Sequence, residues 1–326
     1  MIIVRSPYRV SFYGGGTDYP SWYQEHGGAV LTSTLDRYCY LSVRHMPAFL
    51  GTKYRVFWSK MEAVDKLEDI QHSGVRGCLQ ALNVTDGIEV NHAGDLPARS
   101  GLGSSSAFTV GMLHALHALR GEFVGPQQLA REAIHVEQEV LKEIVGIQDQ
   151  IECAHGGLNL IEIRPDGGYK VSPVVMPAHR QQELQSRLLL FFTGLQRHAS
   201  EIAADQVKNS ERKHHELARI ASLVPEAVQA LSSGNLPAFG CLLHETWMLK
   251  RELSDKVSSP EIDDLYYRAR KAGALGGKVL GAGGGGFLLF YVPIENQTAV
   301  REALSGLLEV PFRFGNEGSK VILYEP

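Results

Sequence analysis

The stretch that decides the reading is Gly94-Asp-Leu-Pro97-Ala-Arg99-Ser-Gly101-Leu102-Gly103-Ser104-Ser105-Ser106-Ala107, which runs straight into Phe108-Thr-Val-Gly-Met-Leu-His-Ala-Leu-His-Ala-Leu119. The first half is small and flexible; the second has helical spacing. Glycines let a backbone close around an anion without Cβ collisions. The start of the helix behind them leaves N–H groups unpaired at the positive end of the helix dipole. Three consecutive serines add hydroxyl donors and candidate magnesium ligands. Loop, helix start and hydroxyls together predict a polyphosphate site. Taken alone, the same stretch also reads as an ordinary serine N-cap after a flexible turn.

Working outward, the chain of 326 residues is long enough for two lobes with a large core. Lys plus Arg against Asp plus Glu gives 32 − 36 = −4, which argues against a nucleic-acid footprint or an anionic membrane surface. Apolar runs such as Leu188–Phe192 and Phe287–Val292 are strand-sized, far short of the ~20 residues that span a bilayer. Met1-Ile-Ile-Val-Arg-Ser-Pro7 does not read as a secretory signal. Cys39, Cys78, Cys153 and Cys241 lie far apart without a CxxC, as expected for reduced, mostly buried thiols in a cytoplasmic protein.

Strands and helices alternate along the chain. Ile2–Val4, Tyr38–Arg44, Tyr54–Trp58 and Ile88–His92 read as strands, and Val64–Leu82 and Pro126–Val145 as helices. Asp166-Gly-Gly168 reads as a hairpin after strand Leu160–Arg164. The second half opens on strand Arg187–Thr193, followed by helical patterns over Glu201–Ser232, Leu236–Ser254 and Pro260–Ala272. No Pro/Ser-rich linker separates the halves, so the expected lobes, 1–175 and 176–326, share an interface.

Three further segments carry candidate chemistry. In Arg9-Val-Ser-Phe-Tyr-Gly14-Gly15-Gly16-Thr17-Asp18 a strand ends in three glycines and presents a carboxylate suited to a polyol, with Arg9 as a fixed cation. The plain alternative is a tight turn with a solvated aspartate. In Glu137…Gly146-Ile-Gln-Asp149-Gln150 two acids offer what phosphoryl transfer requires, a magnesium carboxylate and a second carboxylate at the acceptor hydroxyl. A solvated helix carboxylate is the plain reading of Glu137. The third is Gly276-Gly277-Lys278-Val279-Leu280-Gly281-Ala282-Gly283-Gly284-Gly285-Gly286-Phe287. It satisfies GxGxxG, but a strand follows where the dinucleotide fingerprint needs a helix, and Val279 stands where a Walker motif needs Ser or Thr. What is left is a backbone that permits close approach by a nucleotide, a substrate or another strand. His114/His117 and His214/His215 lack the partners of a metal site.

In this order the four segments resemble the superfamily of galactokinase, homoserine kinase, mevalonate kinase and phosphomevalonate kinase, over Arg5 to Phe290. Pro97-Ala-Arg-Ser-Gly-Leu-Gly-Ser-Ser105 is the most specific mark and Gly281-Ala-Gly-Gly-Gly-Gly286 the second. Within it the chain looks most like bacterial D-glycero-D-manno-heptose 7-phosphate kinases, on Gly14-Gly-Gly-Thr-Asp18, Gly146-Ile-Gln-Asp-Gln150 and Thr193-Gly-Leu-Gln-Arg197-His-Ala-Ser-Glu-Ile202 in addition. The fold this implies is a two-lobed α+β one, with a ribosomal-S5-like N-terminal half and a ferredoxin-like C-terminal half. The activity it implies is ATP-dependent phosphorylation of the anomeric hydroxyl of heptose 7-phosphate, giving heptose 1,7-bisphosphate for nucleotide-activated heptose and surface polysaccharide.

Carried over by position, the resemblance makes Asp149 and Arg9 catalytic, and Ser105 and Glu137 ligands of Mg²⁺. Pro97, Arg99, Gly101, Leu102, Gly103, Ser104, Ser105 and Ser106 fall to the ATP phosphates. Asp18, Gly15, Gly16, Thr17, Gly283 and Gly284 fall to the acceptor. Arg197 is the first candidate for the acceptor's own phosphate, ahead of Lys208, Arg37 and Arg44, and Trp58 is a candidate wall for adenine. Galactokinases carry Glu and His where Gly15 and Gly16 stand here, which predicts a roomier cavity for a longer sugar. The expected partner is a small-molecule sugar phosphate, not nucleic acid or membrane, and a homodimer is the working assembly. Rival readings are another sugar 1-kinase such as an L-fucose kinase, a catalytically silent nucleotide- or sugar-binding regulator, and an NAD-dependent oxidoreductase.

Overall fold

The structure, a computed structural model, describes residues 1–195 and 199–326. The chain runs β1 (Ile2–Tyr13), α1 (Pro20–His26), β2 (Gly28–His45), β3 (Tyr54–Phe57), β4 (Met61–Val64), α2 (Ser73–Ala81), β5 (Ile88–Gly94), α3 (Ser104–Leu119), α4 (Pro126–His135), α5 (Gln148–His155), β6 (Leu158–Ile163) and β7 (Tyr169–Pro173). It continues through α6 (Ala178–Ser186), β8 (Leu188–Phe192), α7 (Ala199–Asn209), α8 (His214–Ser233), α9 (Leu236–Glu252), α10 (Pro260–Lys271), β9 (Gly276–Val279), β10 (Phe287–Tyr291), α11 (Gln297–Ala303), β11 (Leu308–Glu309) and β12 (Lys320–Tyr324).

Two sheets organise these elements into an α+β fold. The larger has eight strands, ordered β12-β1-β2-β5-β3-β4, with β6 and β7 continuing from the far end of β2. The long β2 makes this possible: its Gly28–Ser33 half pairs with β6 and its Cys39–His45 half with β5. The smaller sheet has four strands, ordered β11-β8-β10-β9, all antiparallel. The last strand, β12, returns to the large sheet beside β1.

Helix α3 is the spine of the first half. Thirteen of its residues are buried, because it lies against β1 and β2 on one side and α4 and α5 on the other. An Ala- and Leu-rich segment with little polar surface fits only such a place. At Gly111 the helix comes so close to the sheet that a Cβ would lie 3.0 Å from Leu41 Cδ1 and 3.2 Å from Ser6 Cβ. No helix among the described residues is long and apolar enough to cross a membrane.

Three expected helices are altered. Val64–Leu82 is helical only over Ser73–Ala81. Glu62 accepts from the amides of Gln71 and His72 at 2.6 and 3.1 Å, which holds the preceding chain off the helix. Pro126–Val145 stays α-helical to His135 and then opens into a π-turn, Val136–Val140, with Leu141 N donating to Val136 O at 2.9 Å. Glu201–Ser232 is two helices, parted at residues 210–213, where Asn209 Nδ2 is drawn to the Leu253 carbonyl at 3.2 Å.

Gly111→Val should lower the unfolding free energy by roughly 1–3 kcal/mol in urea titrations, the usual cost of overpacking a core. Unchanged stability would show that α3 does not sit this close to β1 and β2.

Candidate functional site

Two glycine loops meet backbone to backbone. A Cβ on Gly101 would stand 2.3 Å from the Leu280 carbonyl oxygen, one on Gly281 2.5 Å from Gly101 Cα, and one on Gly286 2.2 Å from the Ser100 carbonyl oxygen. All three glycines have positive φ, so an L side chain is excluded by strain as well as by space. The third glycine segment thus approaches the serine loop itself. Gly283 and Gly284, assigned above to the acceptor, do not line the cavity: Gly284 N donates to the Val257 carbonyl at 2.8 Å and a Cβ on Gly283 would lie 2.7 Å from that oxygen.

Beside this junction lies a cavity of about 570 Å³. Arg9, Asp18, Gly15 and Gly16 reach it from β1 and the turn after it, and Arg99, Gly101, Gly103 and Ser104–Ser106 from the serine loop. Glu137, Asp149 and Gln150 reach it from the π-turn and α5. Residues more than a hundred positions apart therefore share one space. A second cavity, of about 610 Å³, lies among Asp205, Arg251, Glu252 and Asp263 and contains none of the residues predicted above.

At the centre Arg9 and Asp149 form a bidentate pair. Nε donates to Oδ1 and Nη2 to Oδ2, both at 2.6 Å, while Nη1 donates to the Gly101 carbonyl at 2.7 Å. The Arg9 side chain is 3% exposed and that of Asp149 23%, so the arginine is fixed behind and the carboxylate faces the cavity. Such fork-to-carboxylate geometry fixes orientation as well as charge. Asp18 is buried and accepts from Gly16 N at 3.0 Å and Gln148 N at 3.4 Å. Burial, with Asp149 nearby, pushes its pKa up.

Glu137 is held by the π-turn with its side chain fully buried. Oε2 accepts from Ser106 Oγ at 3.0 Å and Gln150 Nε2 at 2.5 Å. Among the described residues, Oε1 has no hydrogen-bond partner. Burial raises the carboxyl's pKa to about 8, the usual response of an acid with no cation to pair with. A solvated helix carboxylate, the plain reading, does not describe it. The serine bonded to Glu137 is Ser106; Ser105 stands one residue earlier, exposed at the cavity edge. The first turn of α3 places all three serines there, after Gly103 enters it with φ 73°.

Other expected residues fall elsewhere. Thr17 is buried, its hydroxyl donating to the carbonyls of Gly14 and Ala29 at 2.8 and 3.0 Å, so it closes the turn and does not line the cavity. Leu102 is fully buried in the core and Pro97 is exposed; neither lines the cavity. Trp58 donates to Glu62 at 2.9 Å and packs on His72, also off the cavity lining. Arg37 and Arg44 pair with Asp36 and Glu89, and Arg197 lies outside the described residues. Of the two glycines that replace Glu and His, Gly15 lines the cavity, where a Cβ would meet Ser11 Oγ at 3.6 Å and Gln148 Nε2 at 3.9 Å in ordinary contact, whereas Gly16, with φ 108°, packs on Leu217.

Sequence reading missed two lysines. Lys250 on α9 and Lys278 on β9 are 5% and 1% exposed and both line the cavity. In the sequence Lys250 is one position of a helix pattern, and Lys278 stands at the edge of the third glycine segment, with no role of its own. Their signal is three-dimensional, a cation buried against a cavity wall.

The family models for the GHMP kinases N terminal domain and the GHMP kinases C terminal domain match residues 65–157 and 227–310. The chain belongs to the GHMP kinase family. It is an ATP-dependent kinase of two-lobed α+β fold. A D-glycero-alpha-D-manno-heptose 7-phosphate kinase of Campylobacter jejuni is 27% identical, over 98% of each chain. An L-fucokinase/L-fucose-1-P guanylyltransferase of Bacteroides fragilis is 27% identical over 91% of this chain, which spans 35% of that protein. The crystal structure of a D-glycero-D-manno-heptose 1-phosphate kinase from Bacteroides thetaiotaomicron superposes over 100% of both chains with a TM-score of 0.82 at 23% identity, a likeness of fold.

The state of Glu137 has a sign that can be measured. Its pKa is raised above the ordinary 4.5, so its share of stability is fully present below pH 4.5 and is lost as pH rises through about 8. Glu152 on α5 is likewise buried, which pushes its pKa up to about 8, and it titrates in both proteins; Glu137→Gln should therefore lose less stability than the wild type between pH 5 and 8 in thermal melts without ligand. Parallel curves would show that Glu137 is not the group that titrates.

Proposed function

We propose that this cavity transfers the γ-phosphoryl group of ATP to the anomeric hydroxyl of D-glycero-D-manno-heptose 7-phosphate, giving the 1,7-bisphosphate. The enzyme is an ATP-dependent sugar kinase. The observation that carries this reading is the Arg9–Asp149 pair, set against Gly103 at the serine-rich start of α3, in the lining of a cavity that also holds Asp18. The heptose assignment rests on the Campylobacter jejuni relative, similar from end to end, and on a glycine, Gly15, in the cavity lining where galactokinases carry a glutamate.

Each residue has a chemical task. The loop and the first turn of α3 offer backbone N–H donors to the ATP phosphates. Asp149, oriented by Arg9, receives or directs the anomeric proton. Because an anomeric hydroxyl is more acidic than an ordinary alcohol, positioning contributes more here than basicity. Asp18, in the same cavity lining, accepts from sugar hydroxyls. The partnerless Glu137 Oε1, buried at the cavity wall, fits a cation. Glu137 and Ser105, with Ser106 bonded to Glu137 beside it, would hold Mg²⁺, which neutralises phosphate charge when bound. We place the reaction in the cytoplasm, with a small-molecule sugar phosphate as substrate and a homodimer as the assembly, and its product in the supply of nucleotide-activated heptose.

The L-fucokinase relative favours one alternative, a different sugar 1-kinase. A coupled ADP assay with heptose 7-phosphate, unphosphorylated heptose, mannose, fucose and galactose separates them. Heptose 7-phosphate should give the highest kcat/KM; a higher value for L-fucose would overturn the heptose reading. Asp149→Asn should lower kcat by roughly 10²-fold, in the range of general-base losses, with ATP binding retained in calorimetry. Unchanged turnover would remove Asp149 from its role.

A further inference from the structure

Two buried lysines face the cavity and the reading above uses neither. Lys278 is the deeper one. Its amine donates to the Phe12 carbonyl at 3.0 Å, and burial, followed by the charge of Lys250, pushes its pKa well below the ordinary lysine value. It anchors β9 to β1.

Lys250 differs. It sits in the last turn of α9, its amine donating to the Gly281 carbonyl. Among the described residues that is its one hydrogen bond, and it has no ion-pair partner. An ammonium has three donors, so two are unspent. Burial and then Arg9 pull its pKa down, to about 8, with Asp18 and Asp149 opposing. The amine is therefore mostly protonated at neutral pH, in the field of the same three residues that define the reacting centre. A buried cation without a counter-charge is costly. A cavity that will receive a polyphosphate supplies that counter-charge.

Gly281, whose carbonyl Lys250 touches, packs on Gly101, whose carbonyl Arg9 touches. The two cations thus stand on either side of the junction of the two glycine loops, one from each half of the chain. Three of Arg9's five N–H donors are already committed, two of them to Asp149. Arg9 has its charge matched by the Asp149 carboxylate, which it orients. Lys250 is the cavity cation with no carboxylate paired to it among the described residues.

We propose that Lys250 is a catalytic residue of the phosphoryl transfer, leaving the Gly281 carbonyl to donate to the equatorial oxygens of the phosphoryl group in flight. The inference rests on the kinase reading above. In the step, the anomeric oxygen forms a bond to the γ-phosphorus and the bond from that phosphorus to the β,γ-bridging oxygen breaks. The electron pair of the broken bond goes to ADP and the hydroxyl proton goes to Asp149. Lys250 gains no covalent bond. It offsets charge that spreads over the equatorial oxygens.

The test compares wild type, Lys250→Met and Lys250→Arg. Methionine keeps the volume without the charge, so Lys250→Met should melt at or above the wild type, which excludes misfolding as an explanation. With Mg·ATP and heptose 7-phosphate, kcat of Lys250→Met should fall roughly 10²-fold, with both KM values within about 3-fold, and Lys250→Arg should recover part of the loss. A kcat within about 3-fold of wild type overturns the proposal. So does a rise in KM for heptose 7-phosphate alone, which would make Lys250 the receptor of the acceptor's own phosphate. A second arm needs no turnover. Mg·ADP with aluminium fluoride mimics the planar phosphoryl group and should raise the melting temperature of wild type above that with Mg·ADP alone. Lys250→Met should lose this increment and keep the Mg·ADP shift; an equal increment in both proteins overturns the proposal. Wild type that releases no ADP with any sugar of the panel refutes the sugar-kinase reading, and the fluoride arm then judges Lys250 by itself.

Discussion

The structure turns on one steric constraint: two loops from opposite halves of the chain touch through backbone alone, at Gly101, Gly281 and Gly286. A single Cβ at any of them would collide with a carbonyl or a Cα. This contact brings the Arg9–Asp149 pair, the serine turn of α3 and Lys250 around one space. Arg9 is tied to it through the Gly101 carbonyl, and Lys250 through the Gly281 carbonyl. The glycines that made the chain resemble a nucleotide-binding protein thus act at one remove, by letting the walls of the site meet.

Electrostatics follow from that geometry. One ion pair is satisfied internally, Arg9 with Asp149. Three other ionisable groups of the cavity wall have no ion-pair partner among the described residues: Glu137 with a free oxygen, Asp18 with its pKa raised by burial, and Lys250. An interior that buries ionisable groups unpaired is less stable than one that pairs them. The arrangement is explicable where a ligand of many charges, anionic phosphates together with a cation, completes it. Glu137 depends further on a π-turn, a departure from the α-helix often found at functional sites. The extra residue in that turn ends α4 and directs the carboxylate at Ser106 and Gln150.

Much of this was legible in the residues. The serine loop entering a helix, the carboxylates at 137 and 149, and Arg9 and Asp18 flanking three glycines each carry their signal locally, in residue type and spacing. Parts of most strands could be read from β-branched and aromatic runs, but the short β4, β9 and β11 could not, and β1 and β2 are far longer than their visible parts, Ile2–Val4 and Tyr38–Arg44, the first half of β2 being a strand only because β6 lies against it. The helix expected from Val64 failed for a similar reason: Glu62 binds two backbone amides that a sequence cannot connect to it. Thr17, Gly283 and Gly284 look like site residues because they adjoin some, yet a hydroxyl turned inward and a carbonyl of Val257 remove them.

What the sequence determined by itself was the chemistry available, an anion-binding helix start, acids and an arginine, since these depend on neighbours within a few positions. Only the tertiary structure decided which of them share a cavity, that Ser106 is the serine on Glu137, and that Lys250 and Lys278 belong to the site at all. A buried lysine and a surface lysine have the same letter on the same helix pattern. Burial is a property of what packs around a residue, and here the packing comes from chain more than two hundred positions away: Lys278 rests on Phe12, and Lys250 faces Arg9.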